Sequence, residues 1–154
     1  SSDAVEDFEQ AASAALEAGG EVVARAGSGE GGYFVSPVLI RQDDPMATVN
    51  QEETFGPLLT VMTVPDAAAA IEAANSTRFG LVGAVHGRDL GKAVEVVSKV
   101  KCGLRRINAP TPGVDYYAPF GGEGMSSFGP REQGRAAREF FTSTTTMTVV
   151  PAAS

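Results

Sequence analysis

The chain has 154 residues and a net charge of −7 at pH 7, with 43% hydrophobic residues, one cysteine and one histidine. A negative charge argues against a nucleic-acid partner, because phosphate binding needs clustered lysines and arginines. One cysteine cannot form a disulfide within the chain and fits a reducing compartment such as the cytoplasm, and so few thiol and imidazole groups argue against a zinc site. The sequence has no apolar run of the roughly 20 residues that a membrane-spanning helix needs.

The hydrophobic pattern predicts strands and helices that alternate along most of the chain. A first helix carries apolar residues from Val5 to Leu16, with Ser2 or Asp3 as its cap. Pro37 suggests an edge position or a bulge for the strand that contains it. The elements that follow the first helix are strands 21–26, 33–40 and 58–64, a helix from Pro65 to Ala74, strand 81–87, a helix from Asp89 that ends at Gly103, strand 104–108, loop 109–129, helix 130–141 and strand 144–150.

This alternation predicts an α/β fold with a mostly parallel, doubly wound sheet, in which strand 58–64 is central. Asp66 and Asp89 can each cap the helix that follows, since a carboxylate accepts hydrogen bonds from free backbone N–H groups. The functional groups of such sheets gather beyond the carboxyl ends of the strands. The long loop 109–129 is a candidate functional segment, because unstructured loops of this length are uncommon in compact domains.

Two glycine-rich segments resemble ligand-binding loops only in part. Residues 27–32, "GSGEGG", match G-x-G-x-x-G, but a dinucleotide fingerprint must open a helix and here a strand follows. A hairpin turn is therefore favoured over a cofactor site. Residues 120–129, "FGGEGMSSFG", lack the Lys-Ser/Thr pair of a phosphate-binding loop. We interpret them as a place where the backbone passes close to a ligand or to a neighbouring segment.

Four side chains are candidates for chemistry, and each has a structural alternative. Cys102 is the one possible thiol nucleophile, but a packing role is favoured, since free cysteine is usually buried and no histidine lies nearby in sequence. His86 is interpreted as a structural histidine within an apolar strand. Arg105 and Arg106 point to opposite faces of their strand, so one at most faces a given site. Either could bind a carboxylate in bidentate fashion, and structural ion pairing is the favoured alternative.

The stretch "NQEETFGP" places two carboxylates and an aromatic ring directly before an apolar strand. Glu52 and Glu53 could form an acid–base pair, although adjacent side chains usually diverge. They could also be a solvated acidic turn. In a third interpretation, one carboxylate accepts hydrogen bonds from sugar hydroxyls while Phe55 packs against a flat ring.

Taken together, these motifs resemble those of a known family. "GGYFVSPVLI", "NQEETFGPLLTV", "GLRRIN", "APFGGEG" and "TTTMTV" occur in an order similar to the C-terminal part of NAD(P)-dependent aldehyde dehydrogenases. The resemblance extends from about Phe8 to Val150. The segment from Pro119 to Phe141 is most similar to bacterial members that act on α-ketoglutarate semialdehyde.

The resemblance implies roles for seven residues. The carboxylate of Glu53 would bind the nicotinamide-side ribose, and Phe55 would lie against the nicotinamide end of NAD or NADP. Asn108 matches a recurrent asparagine, which we interpret as structural. The implied aldehyde tunnel consists of Phe120, Val114, Tyr116 and Tyr117.

The resemblance also implies what other parts of such an enzyme would supply. In the family, a cysteine attacks the aldehyde, hydride leaves to the nicotinamide, and water hydrolyses the thioester. That cysteine, its general-base glutamate and the Rossmann domain lie upstream of the matched region. We therefore expect this chain alone to be inactive.

The expected division of the chain is a portion of the catalytic domain over residues 1–143 and an oligomerisation strand over 144–154. The expected partners are an aldehyde, an N-terminal Rossmann half and further copies of the subunit. The alternative is a non-catalytic chain that acts only in subunit association.

Overall fold

The computed structural model describes residues 1–27, 29 and 31–152. They divide into two compact units, one of residues Ser1–Arg78 and one from Phe79 onward. The first unit contains α1 (Ser2–Glu17), β1 (Glu21–Arg25), β2 (Val38–Arg41), α2 (Thr48–Gln51), β3 (Leu58–Val61) and α3 (Ala67–Ala74). The second contains β4 (Phe79–Gly80), β5 (Val82–Val85), α4 (Leu90–Lys99), β6 (Leu104–Ile107), β7 (Glu123–Gly124), a 3₁₀ turn (Gly134–Ala136) and α5 (Ala137–Phe141).

The core of the first unit lies between α1 and β2. Phe8, Ala12 and Ala15 are buried along one side of the helix, as the periodicity predicts. They pack with Val38 and Ile40 of β2 in one hydrophobic cluster. Burying a large apolar side chain contributes about 1.5–3 kcal/mol, so this contact holds the helix on the sheet.

Strand β2 is the middle strand of the three in the first unit, with β1 antiparallel and β3 parallel to it. The edge position predicted from Pro37 is therefore wrong. Pro37 lies just before the strand, where its missing N–H removes no ladder hydrogen bond. The predicted strand 33–40 accordingly begins only at Val38, and Tyr33 and Phe34 are exposed. The predicted central strand 58–64 ends at Val61 and lies at the edge of this sheet.

In the second unit, β5 and β6 form a parallel pair joined by α4. Ala93 and Val97 are buried on the face of α4 that contacts both strands. The short strands β4 and β7 form a separate antiparallel pair, which the sequence pattern did not predict. A two-residue strand has no periodicity to detect.

The N-cap residues of three helices can be compared with those predicted from the sequence. The carboxylates of Asp66 and Asp89 each accept a hydrogen bond of 2.9 Å, from the N–H groups of Ala69 and Lys92. Both predicted caps are confirmed. The first helix instead begins one residue earlier than expected, because the Ser1 hydroxyl accepts the Ala4 N–H at 3.3 Å.

The expected single doubly wound sheet is not what the described residues form. They form three small sheets, and only the pairs β2–β3 and β5–β6 are parallel. Each parallel pair has a helix in its connection, whereas the described residues between β1 and β2 form none, and these two strands pair as antiparallel neighbours. A parallel pairing needs such a crossover. The α/β class is correct, but the described residues contain two separate parallel pairs with a helix in each connection, where the alternation predicts a doubly wound sheet.

The last part of the chain departs most from the predicted elements. The helix expected over 130–141 is reduced to the 3₁₀ turn and α5, because Gln133 and Gly134 have φ angles of 64° and 52°, which no α-helix accepts. Residues 144–150 are exposed and form no strand within the described chain. Their pairing with another subunit stays a prediction. Among the described residues, no helix is long and apolar enough to cross a membrane.

Candidate functional site

The two acidic side chains of the loop before β3 have different surroundings. Glu52 follows α2, and its carboxylate forms an ion pair with the guanidinium of Arg78. Glu53 is exposed and has no hydrogen-bond or ion-pair partner in the described part of the chain. The two carboxylates therefore do not act as a pair, which argues against the acid–base interpretation.

Phe55 is 92% exposed. Its ring is therefore accessible for a contact with a ligand or with another segment. Two residues earlier in the chain, the free carboxylate of Glu53 can accept two hydroxyl hydrogen bonds, and such charge-assisted bonds are among the stronger ones. The loop thus presents one flat apolar surface and one anionic acceptor, which suits a nucleotide ribose and its ring.

The loop is anchored to the core at Gly56. A Cβ at this position would lie 2.9 Å from Cδ2 of Phe8, closer than real Cβ contacts. Leu58, two residues later, packs partly buried against the same cluster. The Gly-Pro step therefore lets the backbone lie directly on the core, and this contact sets where Glu53 and Phe55 stand.

The second unit contains an open cavity of about 570 Å³. Two of the four predicted tunnel residues, Val114 and Phe120, line it. The remaining lining is Leu81, Val82, Leu104, Thr111, Pro112, Gly113 and Gln133. The walls are mostly apolar, as expected of a small-molecule site. Gln133 was missed by sequence reasoning, and no motif marks it.

Tyr116 and Tyr117 lie outside this lining. They are 84% and 65% exposed, and their rings meet edge to face with centroids 5.6 Å apart. A hydrogen bond to the carboxylate of Asp115 raises the pKa of the Tyr117 hydroxyl above its usual value, with the charge of Asp115 adding to the effect. Their role in an aldehyde tunnel stays a prediction.

Phe120 is held by backbone pairing with Glu132. The Phe120 N–H donates to the Glu132 carbonyl at 2.6 Å, and the Glu132 N–H donates back at 2.9 Å. The guanidinium of Arg131 donates to the Gly122 carbonyl next to this bridge. The loop 109–129 is therefore tied to the residues just before α5.

The glycine-rich segment 120–129 lies directly on other backbone, as one of its two interpretations predicts. A Cβ on Gly103 would be 1.8 Å from the carbonyl oxygen of Gly121, and one on Gly122 would be 2.6 Å from Cβ of Ser126. A Cβ on Gly80 would be 2.6 Å from the carbonyl oxygen of Lys101. Three stretches of main chain meet here without side chains between them. The other glycine-rich segment, "GSGEGG", includes Ser28 and Glu30, which lie outside the described residues, so its turn stays a prediction.

Cys102 and His86, two of the remaining candidates, differ in their surroundings. Cys102 is buried, and its Sγ contacts the Leu104 carbonyl at 3.2 Å, which confirms the packing role. His86 is exposed just beyond β5, so its interpretation as a strand histidine is wrong. No group of three or more histidine, cysteine or acidic side chains in the described ranges could hold a metal ion.

Arg105 and Arg106 bind backbone carbonyls instead of carboxylates. Arg105 Nε donates to the Val100 carbonyl at 3.1 Å, and Arg106 Nη1 donates to the Gly113 carbonyl at 2.9 Å. The expected ion pairing is therefore wrong within the described residues, although the opposite directions of the two side chains agree with strand alternation. The two guanidinium groups therefore join β6 to the residue before it at Val100 and to the loop after it at Gly113.

Comparison with known proteins identifies the family. The family model "Aldehyde dehydrogenase family" matches residues 1–147, nearly the whole chain. The chain belongs to the aldehyde dehydrogenase family. It is 38% identical over 138 residues to the alpha-ketoglutaric semialdehyde dehydrogenase of Bacillus subtilis, which covers 90% of this chain and 28% of that relative. It is 36% identical over 137 residues to the alpha-ketoglutarate semialdehyde dehydrogenase of Haloferax volcanii, covering 88% and 28%.

Solved aldehyde dehydrogenases share the fold. The Mycobacterium tuberculosis enzyme complexed with NAD⁺ superimposes with a TM-score of 0.85 at 31% identity, covering 93% of this chain and 30% of that one. The betaine aldehyde dehydrogenase of Staphylococcus aureus, also with NAD⁺, gives a TM-score of 0.84 at 31% identity, covering 92% and 29%. The chain thus spans less than a third of the length of these relatives. The expected cofactor, NAD or NADP, agrees with the NAD⁺ in both structures.

Proposed function

We propose that this chain is the C-terminal part of an NAD- or NADP-dependent aldehyde dehydrogenase that oxidises the semialdehyde of a dicarboxylic acid to the acid. The observation that carries the proposal is the loop before β3, where the free carboxylate of Glu53 precedes the exposed ring of Phe55 by two residues. The semialdehyde substrate is supported by the names of two relatives at 36–38% identity. The single buried thiol of Cys102 is consistent with the reducing environment of a cytoplasmic enzyme.

In this proposal, the chain positions groups and does not itself form bonds to the substrate. The carboxylate of Glu53 accepts hydrogen bonds from the hydroxyls of the nicotinamide-side ribose, and the ring of Phe55 lies against the nicotinamide ring. NAD or NADP supplies the acceptor for the hydride that leaves the aldehyde. A cofactor enzyme depends on its protein for such positioning. Val114 and Phe120 form an apolar wall for the aldehyde chain, because both line the cavity of the second unit.

The ribose role of Glu53 is tested in the full-length enzyme by comparing Glu53→Gln with Glu52→Gln. Replacing the carboxylate of Glu53 by a neutral amide weakens each ribose hydrogen bond by about 1–2 kcal/mol. We expect Glu53→Gln to lower the hydride-transfer rate in a single turnover at least tenfold. Glu52→Gln should change the rate less than twofold, since that carboxylate is paired with Arg78. Equal effects of the two variants would refute the assignment.

A second candidate function is subunit association without catalysis. It is favoured by the lack of a surface-accessible thiol, because Cys102 is buried and is the only cysteine in the sequence. The two functions are separated by assaying the 154-residue chain with NAD or NADP and a panel of aldehydes. We expect no turnover. Turnover that disappears in Cys102→Ala would overturn the packing role of this residue and make the chain an enzyme by itself.

A further inference from the structure

Two half-buried amide side chains, those of Asn50 and Gln51, end α2 and directly precede the acidic loop. The NH₂ group of Asn50 donates to the Asp44 carbonyl at 2.7 Å, and that of Gln51 donates to the Pro45 carbonyl at 2.7 Å. Both acceptors lie just before α2 and both donors lie at its end, so the two bonds close this stretch of chain on itself. A helix of one turn is not stable by its backbone bonds alone, because helix formation needs a costly nucleus. The side-chain bonds therefore hold α2 and the backbone that leaves it.

The segment that supplies the two acceptor carbonyls is fixed to the core of the first unit. Gln42, which is 5% exposed, donates from Nε2 to the Ala18 carbonyl at 3.3 Å, and its Oε1 accepts the Asp44 N–H at 3.1 Å. A buried amide with both ends paired makes a rigid link, because an unpaired polar group is costly where water is excluded. Val49 of α2 also packs against the hydrophobic cluster of α1 and β2. The two acceptor carbonyls thus have a defined position relative to α1.

Glu53 lies two residues after this anchor and depends on it for its place. The side chain of Glu53 is exposed and has no hydrogen-bond or ion-pair partner in the described part of the chain, so no contact of its own orients the carboxylate. The other end of the acidic loop rests on the core at Gly56, next to Phe55. The direction of the backbone at Glu53 is therefore set mainly from the side of Gln51.

We propose that Asn50 and Gln51 are positioning residues for the carboxylate of Glu53. This inference rests on the proposed function, which gives Glu53 its ligand, the nicotinamide-side ribose. The two amides hold the backbone so that the carboxylate stands in its binding position before the cofactor arrives. Ordering a loop in advance lowers the cost of binding, and a small displacement of a positioning group costs rate. Neither amide contacts the cofactor, so their effect on the reaction passes through Glu53.

The first test removes the donors one at a time in the full-length enzyme. Gln51→Met and Asn50→Leu keep the approximate size of each side chain but have no N–H group. We expect each to lower the rate of hydride transfer in a single turnover about fivefold, because the carboxylate is misplaced. The dissociation constant of NAD or NADP should rise less than twofold, since the loop contacts only one end of the cofactor. Rates within twofold of the wild type in both variants, or a rate loss matched by an equal loss of affinity, would overturn the proposal.

Asp66→Ala is the control for a general loss of stability. It removes the cap of α3, a helix in the same unit, where the carboxylate accepts the Ala69 N–H at 2.9 Å. We expect this variant to unfold at a lower urea concentration than the wild type, as loss of a helix cap does. Its rate of hydride transfer should stay within twofold of the wild type. If Asp66→Ala slows hydride transfer as much as Gln51→Met does, the effect belongs to stability and the proposal fails.

A double-mutant cycle shows whether the amide of Gln51 acts through Glu53. Effects of residues that act through one another are not additive. We expect Gln51→Met to slow hydride transfer less than twofold when Glu53 is already replaced by Glu53→Gln. A further loss as large as in the wild-type background would make the two effects independent and overturn the proposal.

A measurement without cofactor separates this inference from the proposed function. The order parameter of the Glu53 backbone N–H is obtained from ¹⁵N relaxation of the 154-residue chain and of its Gln51→Met variant. We expect a value of about 0.85 for the wild type and about 0.6 for the variant. This difference, together with an unchanged hydride-transfer rate in Glu53→Gln, would preserve the anchor and refute only the proposed function. Equal order parameters in the two proteins would show that the amide does not hold the loop, and the inference would be wrong.

Discussion

At position 56 the chain has room for a hydrogen atom and little more. The backbone of Gly56 rests on the ring of Phe8, and Phe55 and Glu53, the two side chains for which we propose a cofactor role, lie one and three residues away. A residue that looks like a turn former is therefore a spacer between the core and the candidate site. Its size decides where Glu53 and Phe55 point.

Gly56→Ala should destabilise the first unit by about 1–3 kcal/mol, because the added methyl group displaces the ring of Phe8. The measurement is urea unfolding followed by circular dichroism. Gly87→Ala is the control, since a Cβ there meets nothing within 4 Å and should change the free energy of unfolding by less than about 0.5 kcal/mol. If both variants unfold at the wild-type urea concentration, the contact with Phe8 does not matter.

The hydroxyl of Tyr117 should titrate above its usual pKa because it donates to the carboxylate of Asp115. The folded-state pKa is raised, so this bond stabilises the fold below the ordinary value of 10.0 and its contribution disappears as the pH rises through the raised value. Asp115→Asn should move the titration back down. The absorbance of phenolate measures the titration of the tyrosine hydroxyls, and Tyr117→Phe identifies the part of the signal that comes from Tyr117 among the three tyrosines. An unchanged curve in Asp115→Asn would disprove the pairing.

Among the elements, the pair of β5 and β6 depends on a residue that follows it. Asn108 comes directly after β6, and its carboxamide accepts the Gly87 N–H at 2.8 Å and donates to the Gly87 carbonyl at 2.9 Å. Its own N–H donates to the Val85 carbonyl. These bonds join the ends of two strands, which confirms the structural interpretation of this asparagine. They are possible because its φ is 52°.

Asn108→Ala should lower the free energy of unfolding by about 2–3 kcal/mol, because it removes two hydrogen bonds and keeps the unfavourable φ. Asn108→Gly removes the same bonds but tolerates the positive φ, so it should recover about 1 kcal/mol of that loss. Thermal and urea unfolding of both variants give the comparison. A glycine variant no more stable than the alanine variant would show that the backbone at this position is not strained.

At the scale of the whole molecule, large apolar groups remain in water. Leu59, on β3, is 67% exposed, and Phe128 is fully exposed. An open apolar groove of about 420 Å³ lies along the sheet of the first unit. Soluble proteins rarely leave such surfaces uncovered. This exposure supports the proposal that further parts of a larger assembly cover the chain.

The tail is the segment for which we predict self-association. Met147, Val149 and Val150 are each about 80% exposed, and residues 144–150 pair with no strand of the described chain. Such a segment is available for pairing with a sheet edge of another copy. We expect light scattering to give a mass above that of the monomer for the full chain and a lower mass after removal of residues 144–154. A monomer at micromolar concentration in both forms would refute the role of the tail.

The sequence predicted those features that depend on neighbouring residues. The first helix and both aspartate caps follow from periodicity and capping chemistry. Features set by distant contacts were missed. The place of β2 within its sheet depends on which strands pair with it, and these strands are distant in sequence. The backbone around Gln133 is fixed by hydrogen bonds to the segment around Phe120. The position of Gln133 in the cavity could therefore not be predicted from its neighbours in sequence.

The direct contact between backbone segments restricts which substitutions the protein can accept in evolution. It involves four glycines, Gly80, Gly103, Gly121 and Gly122. Every change of a glycine codon to that of another amino acid adds at least one carbon atom, and at these positions that atom would collide with another part of the chain. Two of the collisions are with carbonyl oxygens of the main chain, which cannot turn aside as a side chain can. Compensation would need simultaneous shifts in three segments. Drift should therefore alter the surrounding surface long before it alters these four positions.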